Sequence, residues 1–163
     1  MVAQIRIGQG LDVHAFEDGD FVTLAGIKIP HTQGLKAHSD GDVVLHALCD
    51  ALLGALALGD IGQHFPDTDP AFKGADSRQL LKHVYQLILD RNYRLNNADI
   101  TVACERPKLA PHNLEMRQSI ANILNVDVTQ ISIKATTTEK LGFTGRQEGI
   151  LSTATVLISH QPK

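Results

Sequence analysis

The sequence contains no tryptophan, only two cysteines and no excess of positive charge. Aromatic residues make up 4% of the 163 residues and the net charge is -3, so the chain lacks the basic footprint of a nucleic-acid-binding protein. It shows no uninterrupted apolar run of bilayer-spanning length and no secretory signal pattern at its start. These absences favour a cytoplasmic protein without a membrane or nucleic-acid partner.

The two cysteines, Cys49 and Cys104, fall inside a predicted helix and a predicted strand rather than in loops. We therefore expect reduced, buried thiols and no disulfide, as in a cytoplasmic protein. The apolar content of 43% and the charged content of 20% are ordinary for a globular chain. The length suits one domain over 1–163, with no repeat, linker or low-complexity tract. Eight histidines favour polar chemistry.

Hydrophobic periodicity predicts helices lying between strands. The predicted fold class is an α/β (α+β) sandwich, with a mixed four-stranded sheet and helices on one face. The residues after the first hairpin, 31–36, are expected to form a polar loop, and 92–97 a turn. The predicted strands cover 5–14, 100–104, 131–136 and 150–159, the hairpin covers 21–29, and the helices cover 43–58, 77–91 and 111–124.

Acidic residues and histidines concentrate around the first predicted helix, over 37–70. Ser39 or Asp40 is the expected N-cap, and Asp42 then falls in the first turn. His46 has a carboxylate one turn before it and another, Asp50, one turn after it, so either can hold the imidazole ring in one tautomer. The alternative is a surface histidine beside two helix-stabilising acids.

Two further polar residues, Asp12 and His14, lie on the first predicted strand. Because side chains alternate along a strand, Asp12 and His14 share one face, opposite Ile7, Leu11 and Val13. Together with His46 they make three nitrogen and oxygen ligands, the set expected for a catalytic zinc ion with an open fourth position. A solvated polar strand face would show the same pattern.

Two later segments can bind a polar ligand. The segment 59–70 contains two glycines, two prolines and three aspartates, and 135–146 contains three consecutive threonines, Thr136–Thr138, followed by Glu139 and Arg146. Glu139 suits a magnesium-like ion and Arg146 suits a phosphate, although solvated turns have similar compositions. No Ser-His-Asp set, nucleophilic cysteine or Walker-type loop is present, so metal-assisted displacement at phosphorus fits best.

Four motifs now point to one family. DVHAF at 12–16, AHSDGDVVLHALCDALLGA at 37–55, GDIGQHFPDTDP at 59–70 and KATTTEKLGFTGR at 134–146 closely resemble the 2-C-methyl-D-erythritol 2,4-cyclodiphosphate synthase family. These enzymes belong to the non-mevalonate isoprenoid pathway. The resemblance covers residues 5–158.

The resemblance implies specific roles. Zinc would bind Asp12, His14 and His46, and a substrate phosphate would reach its open position and lie close to these residues. Magnesium or manganese would bind Glu139. His38 and Thr137 would polarise the phosphates in the transition state, and His38 and Ser39 belong to a substrate-contacting loop. The methylerythritol part would contact Asp60, Ile61, Gly62, Phe65, Pro66, Asp67, Thr68 and Asp69. The cytidine and its phosphates would contact Cys104, Glu105, Arg106, Pro107, Lys108, Leu109, Ala110, Thr136, Thr137, Thr138, Glu139, Phe143 and Arg146.

The implied reaction is attack by the 2-phosphate of 4-diphosphocytidyl-2-C-methyl-D-erythritol 2-phosphate on its own β-phosphorus. It releases CMP and closes a cyclic diphosphate. The resemblance also implies a homotrimer with active sites between subunits and a central cavity for an isoprenoid diphosphate. Gln147 stands where the family often has a small residue, and this difference concerns only local details near the subunit contact. Cys104, Leu109 and Ala110 also differ from the family pattern, but they should be tolerated because the cytidine segment contacts its ligand mainly through the backbone.

Two other functions stay open. A zinc phosphoesterase would use the same three ligands to deliver hydroxide to phosphorus, and its product would be linear. A non-catalytic trimeric module that binds an isoprenoid diphosphate would keep the fold and Arg146 without needing Glu139 or an open zinc position.

Overall fold

A long first strand and one buried helix dominate the structure, a computed structural model that describes residues 4–162. The ends of the predicted 1–163 domain, residues 1–3 and 163, lie outside that range. The strands are β1 (Ile5–Asp18), β2 (Phe21–Leu24), β3 (Ile27–Pro30), β4 (Gln33–Leu35), β5 (Tyr93–Ala103), β6 (Ile131–Thr136) and β7 (Gly149–His160). The helices are α1 (Val43–Ala55), α2 (Ile61–His64), α3 (Ser77–Asp90), α4 (Asn113–Leu124) and α5 (Gly142–Gly145).

The main sheet has five strands in the order β4-β1-β7-β5-β6, and β2 with β3 forms a separate hairpin. Only β5 and β6 run parallel, so the predicted mixed sheet is confirmed. The predicted number of four strands is wrong, because part of the expected 31–36 loop forms β4. Its residues Gln33–Leu35 pair with Phe16, Glu17 and Asp18 at the end of β1. A three-residue strand has too little periodicity to be recognised without its partner.

Helix α1 lies directly on β1 because that strand presents glycines to it. A Cβ atom on Gly8 would lie 1.8 Å from the carbonyl oxygen of Ala51. This close approach buries nearly every residue of α1, including Cys49, while leaving the backbones in contact. Both cysteines are buried and free, as predicted.

Local capping chemistry sets most helix ends. Asp76 caps α3 by accepting a hydrogen bond from the Arg78 amide, and Asn125 closes α4 in the left-handed conformation, both as predicted. The predicted N-cap of α1 is wrong: Asp42, rather than Ser39 or Asp40, accepts from the Leu45 amide. Helix α1 also ends before residue 58, because Ala57 adopts a positive φ of 55°.

Strand β5 begins earlier than predicted. The expected turn over 92–97 is limited to Asn92, and Tyr93–Ala103 pairs with β7 with one register shift between Leu95 and Asn97. Helix formation near Pro111 is confirmed, with a short 3-10 turn, Ala110–His112, preceding α4.

The sheet face opposite the helices is apolar but uncovered in the single chain. Ile5, Ile7, Leu11 and Val13 of β1 are 60%, 72%, 57% and 40% exposed. Such a contiguous apolar patch on a sheet is typical of a surface that contacts another chain. Within residues 4–162, no helix is both long and apolar enough to cross a membrane.

Candidate active site

Asp12, His14 and His46 converge at the junction of β1 and α1. The Asp12 Oδ2 atom lies 2.9 Å from His14 Nε2 and 3.2 Å from His46 Nδ1. The two ring nitrogens are 3.3 Å apart. The strand alternation that places Asp12 and His14 on one face is confirmed, and the close seating of α1 brings His46 over that face.

A backbone carbonyl determines the tautomer of His14. Its Nδ1 atom lies 2.9 Å from the carbonyl oxygen of Lys36, which can only accept a hydrogen bond. The proton of a neutral His14 therefore belongs on Nδ1, and the unprotonated Nε2 lone pair faces Asp12 and His46. Fixing one ring nitrogen in this way prepares the other to bind a metal ion.

The acids that flank His46 along the helix do not hold its ring, contrary to the prediction. The Asp42 carboxylate accepts from the backbone amides of Ala25 and Gly26, at 2.9 and 2.7 Å, as well as from that of Leu45. Asp50 accepts from the amide of Ile61 at 2.8 Å. The His46 nitrogen that points away from Asp12, Nε2, instead lies 2.8 Å from Ser77 Oγ and 3.2 Å from Ser39 Oγ.

Asp12 and His14 shift each other's pKa values. Burial disfavours the charged form of Asp12, but the hydrogen bonds and positive charge that His14 and His46 supply when their rings are protonated outweigh it and hold the pKa of Asp12 below its ordinary value. Burial likewise acts to lower the pKa of His14, but the neighbouring Asp12 carboxylate outweighs it and raises that pKa. The site is thus built around a carboxylate that attracts positive charge.

The donor set fits a metal ion. The three residues offer ligand atoms that lie within 4.8 Å of one another, and they form the one such cluster in the described part of the chain. One carboxylate oxygen and two imidazole nitrogens suit a tetrahedral divalent cation such as zinc. The triad lines a cavity, so a ligand in that cavity could reach an ion held by the three residues.

This cavity, the metal pocket, has a volume of about 210 Å³ and extends from the triad towards α2. His38 lines it, and the buried His38 Nε2 atom has no hydrogen-bond partner within residues 4–162. An unpartnered buried nitrogen is costly, so a ligand that bonds to it is expected. The lining residues are Asp12, His14, His38, Ser39, His46, Ile61, Gly62, Phe65, Asp67, Phe72, Ala75 and Leu80.

Several residues predicted from the 59–70 segment do not line the metal pocket. Asp60 caps α2 through the amide of Gln63, and Asp69 caps the following 3-10 turn through the amide of Ala71. Pro66 and Thr68 lie in the connecting turn. The sequence analysis in turn missed Phe72, Ala75 and Leu80, which contribute to the lining from the start of α3 and the loop before it.

Seven of the residues predicted for the cytidine end line a separate cavity of about 180 Å³, the second pocket. It shares no lining residue with the metal pocket. Pairing across the sheet aligns Asp12 with Ser152, then Val102, then Ala135. Asp12 beside the metal pocket and Ala135 beside the second pocket therefore lie near the same end of the sheet, three strand spacings or about 14 Å apart. The second pocket is lined by Cys104, Pro107, Lys108, Leu109, Ala110, Ala135, Thr136 and Thr137.

The turn after β6 carries the predicted phosphate residues. Glu105 orders this turn by accepting from the amides of Thr138 and Lys140, at 3.2 and 3.1 Å. Thr137 Oγ1 donates to Glu139 Oε1 at 3.1 Å, and both side chains are accessible. Glu139 belongs to no cluster of three metal-ligating groups in the described residues, so an ion there would need oxygen ligands from elsewhere.

The other predicted residues of this region differ in their availability. Thr138 Oγ1 is engaged inside the turn, with Leu141 and Thr144. Arg146 forms an exposed ion pair with Glu148 at 3.0 Å, and Phe143 lies beside it on α5 with 36% of its surface exposed. Arg106, within the 104–110 loop, is exposed.

Fold and site together define a class: an α/β protein with an Asp-His-His triad that could hold a metal ion, beside a cavity lined by both polar and apolar side chains. The YgbB family model matches residues 5–159, and the chain belongs to this family. A curated relative, the 2-C-methyl-D-erythritol 2,4-cyclodiphosphate synthase of Acinetobacter baumannii, is 89% identical over 98% of this chain and 100% of its own length.

Solved structures with similar folds carry related names. The bifunctional IspDF from Campylobacter jejuni superimposes with a TM-score of 0.94 at 47% identity, covering 98% of this chain and 43% of that longer one. The IspF of Plasmodium falciparum, solved as a CDP complex, gives a TM-score of 0.86 at 37% identity and covers 97% of both chains.

Proposed function

We propose that this chain converts 4-diphosphocytidyl-2-C-methyl-D-erythritol 2-phosphate into 2-C-methyl-D-erythritol 2,4-cyclodiphosphate and CMP. The observation that carries the proposal is the convergence of Asp12, His14 and His46 on a cavity, in a chain 89% identical to a synthase of this name. The enzyme is accordingly a cyclising phosphorus-oxygen lyase of isoprenoid biosynthesis. Its two free, buried cysteines agree with a cytoplasmic location.

Two cations are assigned to the site. Zinc suits the triad, and magnesium or manganese suits Glu139, whose single carboxylate leaves most coordination positions to phosphate oxygens and water. When bound, these ions would withdraw charge from non-bridging oxygens and reduce the repulsion between the two phosphates.

The chain's own residues then orient the reacting groups. His38 lines the metal pocket and can contact a phosphate there; its Nε2 atom is buried without a hydrogen-bond partner in the described residues. Thr137 brings a hydroxyl to the edge of the second pocket, next to Glu139. Holding the 2-phosphate and the β-phosphorus in line is the main requirement for an intramolecular displacement. Arg146 and Phe143 would contact the diphosphate and cytidine end.

We further propose a homotrimer whose active sites lie between subunits. The uncovered apolar face of β1 supports an interface, and the separation of the two pockets supports a site to which neighbouring copies contribute one pocket each. An isoprenoid diphosphate in a central cavity would match an apolar wall of Ile5, Ile7, Leu11 and Val13.

Phosphorus NMR tests the reaction. The purified chain is incubated with the cytidine diphosphate substrate, zinc and magnesium. Coupled resonances of a cyclic diphosphate together with CMP are expected. A linear phosphate would instead identify a zinc phosphoesterase, and zinc binding without turnover would identify a binding module.

A further inference from the structure

Behind His46, on the side away from Asp12, lies a pair formed by the buried Ser77 and the half-buried Asp40. Ser77 is the first residue of α3 and has no exposed surface. Its Oγ atom is 2.8 Å from His46 Nε2 and donates to Asp40 Oδ1. The Ser77 backbone amide donates to the other oxygen, Asp40 Oδ2, at 3.0 Å. Asp40 thus holds both polar groups of Ser77 at once.

The hydrogen bonds that link His46, Ser77 and Asp40 have a defined direction. A hydroxyl has one hydrogen, and a carboxylate can only accept. Because the Ser77 hydrogen goes to Asp40, its oxygen is left to accept from His46. The proton of neutral His46 then belongs on Nε2, and Nδ1 presents a lone pair to Asp12 and His14.

We propose that Ser77 and Asp40 are positioning residues that keep His46 in the Nε2–H tautomer, so that Nδ1 is ready to bind the metal ion. This inference rests on the metal site of the proposed function. The Lys36 carbonyl performs the same task for His14. The two histidines are therefore held by different means: one by a backbone carbonyl, the other by a side-chain relay from a distant helix.

Two further hydrogen bonds also join the loop before α1 to the segment that leads into α3. The Gly74 amide donates to the His38 carbonyl at 2.7 Å, and the Asp40 amide donates to the Ala75 carbonyl at 3.3 Å. The relay behind His46 is consequently part of the connection that seats His38 at the metal pocket. Ser39 Oγ is a second possible acceptor for His46 Nε2, but at 3.2 Å it is farther away than Ser77 Oγ.

Zinc affinity of the full chain, measured by competition with a chromophoric chelator, tests the proposal. Ser77→Ala and Asp40→Asn are expected to weaken zinc binding by about 10- to 100-fold, the usual effect of removing a residue that orients a ligand. Asp76→Asn is the matched control, because Asp76 caps the same helix end from an exposed position and an asparagine still caps. It should bind zinc like the unmodified chain.

Nitrogen NMR of 15N-histidine-labelled protein gives a readout that simple loosening would not reproduce. In the zinc-loaded unmodified chain, the His46 Nε2–H proton should be detectable and slow to exchange because it is buried and bonded to Ser77. In Ser77→Ala that proton should exchange faster, and the zinc-free variant should gain the Nδ1–H tautomer. Thermal unfolding in EDTA checks that the variants fold.

Several results would overturn the inference. Unchanged zinc affinity in both variants would do so, as would an equal loss in Asp76→Asn. A loss caused by Ser39→Ala but not by Ser77→Ala would make Ser39 the acceptor. If the variants fail to fold, a fast-exchanging His46 Nε2–H in the zinc-loaded unmodified chain still refutes it. Failure of the unmodified chain to bind zinc would refute the metal site itself, and this proposal with it.

Discussion

Gly10 of β1 lies directly against the backbone of Ala47 on α1: a Cβ atom on Gly10 would be 1.9 Å from the Ala47 carbonyl oxygen. Ala47 follows His46 in the sequence, so this contact sets the height of His46 above Asp12 and His14. The metal triad therefore depends on a residue that offers no ligand atom.

Gly10→Ala should displace α1 and damage both stability and metal binding. A methyl group that meets backbone cannot be accommodated by side-chain movement, so we expect a loss of about 3 kcal/mol or more in the free energy of unfolding. Urea unfolding and zinc titration measure the two effects. Gly54→Ala on the same helix is the control, since its Cβ would meet only one atom, 3.9 Å away. It should be neutral or stabilising by up to about 1 kcal/mol.

His46→Ala should abolish tight zinc binding and turnover while the chain stays folded. It removes one of three ligands, and the cost in unfolding free energy should be about 1–3 kcal/mol because the side chain is buried. Zinc content by atomic absorption, activity and circular dichroism check these outcomes. His31→Ala, outside the metal pocket, should change none of them; full activity in His46→Ala would remove the metal hypothesis.

Glu139→Gln should reduce turnover without reducing zinc content. The amide keeps the shape of the side chain but is a poor ligand for magnesium, so the loss should be about 10- to 100-fold at limiting magnesium and smaller at saturation. Initial rates across a magnesium titration test this. Glu115→Gln on the surface of α4 serves as the control. An unchanged magnesium dependence would contradict the assigned role of Glu139.

Asp42 should make stability depend on pH. Burial, aided by Asp40, raises the pKa of Asp42 to about 6 despite its backbone hydrogen bonds. A carboxyl with a raised folded pKa contributes stability that is fully present below about pH 4 and lost as the pH rises through about 6. Compared with Asp42→Asn, the native chain should therefore gain up to about 3 kcal/mol between pH 7 and pH 4.

Urea unfolding in EDTA at fixed protein concentration measures this difference, because metal and assembly would otherwise alter the apparent stability. The exposed Asp18→Asn variant should follow the native profile. A difference between native and Asp42→Asn that stays constant over this pH range would show that Asp42 does not titrate there.

Charges on the exposed face of β1 should weaken the proposed trimer. In Ile7→Lys/Leu11→Lys, like charges from three copies would meet at the interface, so sedimentation velocity should show mainly smaller species at micromolar concentration. Leu114→Lys, equally exposed but on α4, should leave the assembly unchanged. Retention of the trimer in the double variant would place the interface elsewhere.

Much of the fold could be read from local patterns. Alternation predicted β1 and β7, the spacing of Leu80, Leu81 and Val84 predicted α3, and Asp76 marked its start. These features depend on neighbours a few residues apart. The same period-two rule placed Asp12 and His14 on one face, which the structure confirms. Their grouping with His46 followed from ligand chemistry and is borne out by the distances.

The sequence by itself determined the local elements, the ligand types and the family, because caps, periodicity and motifs are all short-range information. Only the tertiary structure decided which carboxylates serve His46. Asp42 bonds to a hairpin 16 and 17 residues away, and Asp40 reaches Ser77 across 37 residues. It also decided that β4 joins the sheet, that the apolar face of β1 is uncovered and that some of the predicted site residues line one pocket while others line a second. Such pairings depend on how distant segments pack, which no local pattern records.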